Sequence, residues 1–303
     1  MNQIKQICAE ACHHLPHNGE IRRLFYGRGH CFPGLEDVVI DAYPPLLMIY
    51  LYQHRQQEWL SQLVKQLQQC VDITFDIVAI QHRYQQDTPI EFMTANAPAQ
   101  IEAVEAGLRY QLRLTKTQNI GFFPDMAIGR KLVRQRCNGK KVLNLFAYSC
   151  SFSVTALASG AKQVVNLDMS KNALELGRIN HQLNNLDLRS ASFLAMELFR
   201  SKSKLRKLSP FDLIICDPPA TQGKSFNAQQ HWAKLLQLLP PLLSPNGELM
   251  LCVNGPHLPD NFITELITKH LPTAHELGRY LPGDDFPEKD LRCATTIYHL
   301  QLP

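Results

Sequence analysis

Asp168 closes the apolar run "VVNLD" (164–168), and the loop Phe146–Ser151 follows an earlier run, "VLNL" (142–145). In a strand–turn–helix–strand unit, a carboxylate about 20 residues past the first loop can accept both hydroxyl hydrogens of a ribose. Asp217 opens "DPPATQGKSF" at the end of a third run, "FDLIIC" (211–216). Proline fixes φ and has no N–H. Asp217, Pro218 and Pro219 therefore make a rigid corner whose carbonyls can face a planar substrate. The loop holding Phe146, Tyr148, Ser149, Cys150 and Ser151 has no glycine. A dinucleotide needs glycines there so that the backbone can approach its pyrophosphate. S-adenosylmethionine (SAM) has an adenosine, a cationic methionine arm and no phosphate, so this loop suits SAM better than NAD.

The elements that position these residues alternate. Strands are expected at Val142–Ala147, Gln163–Asp168, Ser192–Ala195, Phe211–Cys216 and Glu248–Val253. Helices are expected at Phe152–Ser159, Lys171–Asn184 with Ser170 as N-cap, Ala228–Leu243 and Asn261–His270, the turn "SPNG" (244–247) ending the third. Two more strands, Glu276–Tyr280 and Thr295–Gln301, flank the acidic loop "LPGDDFPEKD". Alternation of this kind implies a mainly parallel sheet of seven strands with crossover helices. Ligands then sit at the carboxyl ends of the strands, here Phe146–Ser151, Asp168–Ser170, Met196–Glu197, Asp217–Pro219 and Asn254–Pro256.

The first part of the chain reads differently. Val38–Ala42 and Leu46–Tyr52 look like strands split by Tyr43-Pro44-Pro45, Glu58–Gln69 looks helical, and Val71–Ile80 and Leu108–Leu114 look like strands. A small α+β domain over 1–115 preceding an α/β domain over 116–303 is the organisation expected. A chain of 303 residues is comfortable as two domains. Hydrophobic residues at 45% and charged residues at 19% exclude a disordered chain. The net charge of +4 permits nucleic acid without demanding it. Nine scattered cysteines, two of them in the apolar runs (Cys216, Cys252), suit a reducing, cytoplasmic setting. No run is long enough to span a membrane, and the N-terminus lacks a signal-peptide core.

"GFFPD" (121–125), "VLNLFAYSCSFSV" (142–154), "VVNLDMSKNALELGRINHQLNN" (164–185) and "FDLIICDPPA" (211–220) resemble the class I SAM-dependent methyltransferases that modify large-subunit (23S) ribosomal RNA, types I and K. "RRLFYGRGHCFPGLEDVVIDAYPPLLMIYLYQ" (22–53) resembles the segment that follows the RNA-binding PUA domain of type I. The roughly 20 residues before Arg22 are too few to form that domain. The resemblance implies a Rossmann-like seven-stranded methyltransferase domain, SAM as cofactor and an RNA substrate. It places Phe146, Tyr148 and Ser149 beside the methionine arm, Asp168 on the ribose, Met169 beside the adenine and Glu197 at the adenine amino group. Asp125 and Arg130 fall in the stretch that closes over the cofactor. Asp217, Pro218 and Pro219 line the target-base pocket, with Asp217 also touching the cofactor. Lys224 and Asn254 are assigned to the substrate.

Two departures bear on the chemistry. The family commonly has aspartate-glutamine-arginine where this chain has Asp125-Met126-Ala127. Type I carries a cysteine after its fifth strand, as methylation at C5 of cytosine needs a thiol nucleophile. Aligned on Gly255, that position is Val253, and Cys252 would point to the opposite face of the strand. Type K methylates a guanine nitrogen and needs no nucleophile, because the lone pair attacks the sulfonium methyl directly. Methyl transfer to an RNA base nitrogen is therefore the expected activity. The alternatives are a degenerate SAM- or RNA-binding module, or a methyltransferase acting on a protein or small molecule. "GRKLVRQRCNGKK" (129–141) has six Lys/Arg and "RSKSKLRK" (200–207) has five, with no acid in either, so both are candidate phosphate contacts and equally ordinary solvated helix faces. "CAEACHHLPH" (8–17) has residue types that suit zinc, but its spacing matches no standard finger. A polar helix, and no metal, is expected there. A homodimer is compatible with the sequence, and Trp59 and Trp232 read as packing residues.

Overall fold

The computed structural model describes residues 2–15, 18–70, 75–94, 100–114, 118–223, 225–254, 258–259 and 261–303. The chain divides into two compact units. One holds Met1–Pro124 and Gly283–Asp290; the other holds Asp125–Pro282 and Leu291–Pro303.

The first unit contains α1 (Asn2–His13), β1 (Arg22–Tyr26), β2 (Val38–Tyr43), β3 (Leu46–Leu51), α2 (Gln57–Cys70), β4 (Ile77–His82), β5 (Ile90–Phe92), β6 (Gln100–Glu105) and β7 (Leu108–Arg113). Strands β1 to β5 form one sheet in chain order, and β6–β7 is a separate antiparallel ribbon. β3 and β4 pair in parallel, which requires a crossover, and α2 supplies it. α2 turns Leu60, Leu63, Val64 and Leu67 inward at helical spacing against Ile40, Ile49 and Ile80. Of the segment expected to be extended from Val71 to Ile80, residues 71–74 lie outside the described residues, and the strand starts at Ile77.

The second unit contains α3 (Ala127–Arg136), β8 (Lys141–Leu145), α4 (Ser151–Ala158), β9 (Gln163–Asp168), α5 (Lys171–Leu183), β10 (Ala191–Ala195), α6 (Lys202–Leu208), β11 (Phe211–Cys216), the short hairpin β12 (Thr221–Gln222) and β13 (Phe226–Asn227), α7 (Ala228–Leu238), β14 (Leu243–Val253), α8 (Phe262–His270), β15 (His275–Tyr280) and β16 (Thr296–Gln301). The sheet is the expected seven strands, in the order β10-β9-β8-β11-β14-β16-β15. The first five are parallel and β16 runs antiparallel between β14 and β15. Strand side chains alternate between two cores. Leu143, Leu167, Ile214 and Leu251 face α7 and α8, while Val142, Val164, Ile215 and Met250 face α3 and α4. Burial on both faces is why these strands read as continuous apolar runs.

Three expectations are corrected. The helix expected over Ala228–Leu243 ends at Leu238, because Pro240 and Pro241 have no N–H to continue it. Ser244–Gly247 does not stand between helix and strand but lies inside β14. There Asn246 takes φ 59 and the register against β11 shifts between Phe211 and Leu213. The first strand, expected to Ala147, stops at Leu145 because Phe146 turns to φ 56.

Candidate functional site

The chain lays β8, β9 and β10 outward in one direction, then returns to β11 on the other side of β8. The switch point of the sheet is therefore the cleft between the ends of β8 and β11, where ligands of this architecture bind. The residues at its two sides are Phe146–Cys150 and Asp217–Pro219.

The first loop achieves its turn without glycine by placing alternate residues in the left-handed region: Phe146 at φ 56, Tyr148 at φ 45 and Cys150 at φ 62. Each such non-glycine residue costs about 1–2 kcal/mol, so neighbours must hold the loop. The Asp168 carboxylate is one of them. It accepts the Tyr148 N–H at Oδ2 (2.9 Å) and the Ser170 N–H at Oδ1 (2.8 Å). Asn180, on α5, donates to the Ser149 carbonyl at 2.9 Å. Gly177, one turn earlier, lets α5 approach so closely that a Cβ there would stand 2.4 Å from Cys150 Sγ. Beneath the loop runs a buried relay. Asn144 donates to Asn166 Oδ1 (2.9 Å), Asn166 to Ser153 Oγ (3.0 Å), Ser153 to His181 Nε2 (2.9 Å) and His181 Nδ1 to the Gly177 carbonyl (2.6 Å). That last bond requires Nδ1–H, and in the neutral ring Nε2 is then the acceptor. Burial holds the His181 pKa below the ordinary imidazole value. Ser170 caps α5 as expected, its side chain accepting from the Ala173 N–H.

Around the second corner, Asp217 is partly exposed, Pro218 buried and Pro219 exposed. Burial and the nearby Asp125 carboxylate push the Asp217 carboxyl up to about 7, against the opposing pull of Arg130. The fold thus brings Asp125 and the deeply buried Arg130, at the start of α3, into electrostatic contact with Asp217. Two carboxylates against one guanidinium leave a place that favours a cation. The Phe146 ring meets Phe226, in the hairpin after the double proline, at 5.1 Å. His231, at 5.7 Å from Phe226, accepts the Asn227 N–H at Nδ1, so in its neutral form Nε2 carries the proton.

Glu197 follows β10 and spends its carboxylate on its own loop, accepting the Phe199 N–H at Oε1 (2.9 Å) and the Arg200 N–H at Oε2 (2.8 Å). Met169 is exposed beside Asp168, and Ser149 is buried. Asn254 is exposed at the end of β14, whereas Lys224 and Gly255 lie outside the described residues. The cysteines near the strand ends are all buried: Cys150, Cys216 and Cys252 have their thiols pushed well up, chiefly by burial. Cys252 packs on the α3–α4 face, opposite to Val253.

Sequence reasoning missed Gly177, Asn180, His181 and Phe226. The spacing of Gly177, Asn180 and His181 puts them on one helix face, which is a signal; nothing local marks Phe226. Of the stretch 129–141, Arg130 is buried, Lys140 pairs with Glu248 (2.7 Å), Lys141 donates to the Leu208 carbonyl, and Lys131, Arg134 and Arg136 are exposed. All five basic residues of 200–207 are exposed. Among the described residues no helix is long and apolar enough to cross a membrane.

Over 157 residues, the chain is 38% identical to the ribosomal RNA large subunit methyltransferase K/L of Shewanella sp. (strain MR-4), covering 50% of this chain and 22% of that protein. Over 228 residues, it is 29% identical to the ribosomal RNA large subunit methyltransferase I of Aeromonas salmonicida (strain A449), covering 72% of this chain and 57% of that protein. The chain thus spans only part of the length of either relative. Its fold matches that of a solved Streptococcus mutans protein described as a SAM-dependent methyltransferase, with a TM-score of 0.85 and 22% identity over 99% of this chain and 81% of that one. Residues 22–300 match the family model of the S-adenosylmethionine-dependent methyltransferases, and the chain belongs to that family.

Proposed function

We propose that this protein transfers the methyl group of SAM to a ring or exocyclic nitrogen of a base in ribosomal RNA. The observation that carries the nitrogen assignment is the state of the thiols. Attack on C5 of a pyrimidine needs an accessible thiolate, and Cys150, Cys216 and Cys252 are buried with raised pKa values. A base nitrogen supplies its own lone pair, so positioning and desolvation do most of the catalysis. The RNA assignment draws on the two relatives, both named as large-subunit rRNA methyltransferases.

In this reading the ribose hydroxyls donate to Asp168, whose two backbone contacts fix the carboxylate. The sulfonium and the methionine arm lie over Phe146–Ser149, near Asp125, Arg130 and Asp217. Glu197 meets the adenine amino group with the lone pairs its backbone contacts leave, and Met169 covers the adenine. The target base, extruded from its helix, stacks over Pro218 and Pro219 and is flanked by Lys224 and Asn254. The direct displacement forms the nitrogen–methyl bond as the sulfur–methyl bond breaks and leaves S-adenosylhomocysteine; a ring nitrogen without a hydrogen keeps the positive charge, and an N–H nitrogen gives up one proton. Asp217, with its pKa near 7, is the group placed to accept that proton. The exposed cations of α6 take phosphates, the first unit contributes to RNA recognition, and the protein works in the cytoplasm where ribosomes are built.

The test is methyl transfer from radiolabelled SAM to ribosomal RNA from a strain lacking the gene, followed by nucleoside analysis. A labelled N-methyl base is expected. A labelled 5-methylcytosine would overturn the nitrogen assignment, and unlabelled RNA with intact SAM binding would overturn the substrate.

A further inference from the structure

The stretch Cys8–His17 has no part in the methyl-transfer site. Its helix, α1, ends at His13, and the chain turns at His14; His17 lies outside the described residues. His13 is exposed and His14 buried, with ring centroids 4.8 Å apart at 69°. Asp284 comes from the far end of the sequence but belongs to the same compact unit. One ligand atom from each of His13, His14 and Asp284 lies within 4.8 Å of the others.

We propose that His13, His14 and Asp284 form a binding site for a divalent transition-metal ion of the zinc class. Two imidazoles and a carboxylate are the donor set that suits zinc, nickel or copper rather than magnesium or calcium. A tetrahedral ion with bonds of about 2.0–2.1 Å holds its ligand atoms roughly 3.3 Å apart. The present spacing therefore needs to close by no more than about 1.5 Å, and His13 is an exposed side chain with room to rotate. Glu10 Oε2 stands 3.7 Å from His14 Nε2, one helical turn away.

The local charge favours a cation. Asp284 and Asp285 share one guanidinium, that of Arg22, which meets Asp284 Oδ1 at 2.9 Å and Asp285 Oδ2 at 3.2 Å. Asp285 is buried beside Asp284. A bound dication would relieve that crowding. Arg22 also holds the Asp284 carboxylate in place, as hydrogen-bonded outer partners do for metal-ligating carboxylates. The nearby thiols form a different group: Cys12 Sγ donates to the Cys70 carbonyl at 2.9 Å, joining α1 to α2. An ion at the proposed site would clip Gly283–Asp290 to the end of α1.

The experiment titrates zinc, and then cobalt, into chelator-treated full-length protein, followed by calorimetry and by the visible cobalt spectrum. One equivalent should bind. His13→Ala and Asp284→Asn, both at exposed positions, should each weaken binding at least tenfold, while Cys12→Ser should leave it unchanged. Failure of the wild type to bind, or unaltered affinity in both His13→Ala and Asp284→Asn, would overturn the proposal. Loss of binding in Cys12→Ser together with a sulfur-to-cobalt charge-transfer band would overturn it in favour of a thiolate site. None of these readouts depends on methyl transfer.

Discussion

Exchanging a glycine between the cofactor loop and the helix that braces it should cost little, whereas filling the helix glycine alone should cost more. Cys150 sits at φ 62 and is fully buried, and Gly177 of α5 faces it. In Gly177→Ala the new methyl would stand 2.4 Å from Cys150 Sγ and 3.0 Å from its Cβ. Carbon-to-carbon contacts are relaxed at about 3.5–4.0 Å, so α5 or the loop must move by about an ångström. Overpacking of this kind costs about 1–3 kcal/mol, and better helix propensity returns about 1 kcal/mol. The net loss should be about 0–2 kcal/mol. The displaced loop should also bind SAM more weakly, because the Asn180 contact to Ser149 is only one turn away. In Cys150→Gly, relief of the left-handed backbone, about 1–2 kcal/mol, is offset by a void and a freer unfolded chain. The double variant puts the methyl where the thiol was and a glycine where φ is positive. It should be at least as stable as the wild type, with a coupling energy of about 2 kcal/mol in the double-mutant cycle. Urea unfolding of the four proteins measures the cycle, and calorimetry with SAM reads the loop. Additivity within about 0.5 kcal/mol, or a Gly177→Ala protein more stable than the wild type, would refute the close-approach argument.

Other consequences follow from the same geometry. Asp217 titrates near 7 because burial and Asp125 disfavour its charge. A cationic ligand favours the ionised form, so SAM affinity should rise as pH increases through about 7. Asp217→Asn should flatten that dependence, and the neutral S-adenosylhomocysteine should show little of it. The ligand-free protein should lose stability as pH rises from 3.8 to about 7 and level off above, since over that range the native state is the better proton binder. For Glu248, burial raises the pKa, but hydrogen bonds from His299 (2.6 Å) and Lys140 (2.7 Å) outweigh it and hold the pKa at about 2. That shift corresponds to about 3 kcal/mol of stability, present above pH 4.5 and lost as pH falls toward 2; Glu248→Gln should remove most of it in a denaturation series. Asp168→Asn should weaken SAM binding by about 1.5–3 kcal/mol while leaving the fold intact by circular dichroism. Replacing Lys204 and Arg206 with alanine should lower the salt slope of RNA binding by roughly 0.7–0.9 for each phosphate the protein no longer neutralises, without changing SAM affinity.

Much of the second unit was legible because it depends on local periodicity. Continuous apolar runs announced strands covered on both faces, and Lys171–Leu183 showed its inward stripe and its Ser170 cap. Chain order alone then placed Asp168 and Asp217 at strand ends. Short or edge elements such as β1, β5 and β6 were not legible, since a few residues of extended chain carry no period. The left-handed backbone at Phe146, Tyr148 and Cys150 left no mark either, because none of these is glycine. Neighbours imposed it: the Asp168 carboxylate, Asn180, and the room left by Gly177. The charge state of Asp217 depends on Asp125 and Arg130, and the His13–His14–Asp284 cluster joins opposite ends of the chain. Residue spacing reports which face of an element a side chain takes. Proximity, burial and electric field depend on distances through space between segments far apart in sequence, and only the folded packing sets those.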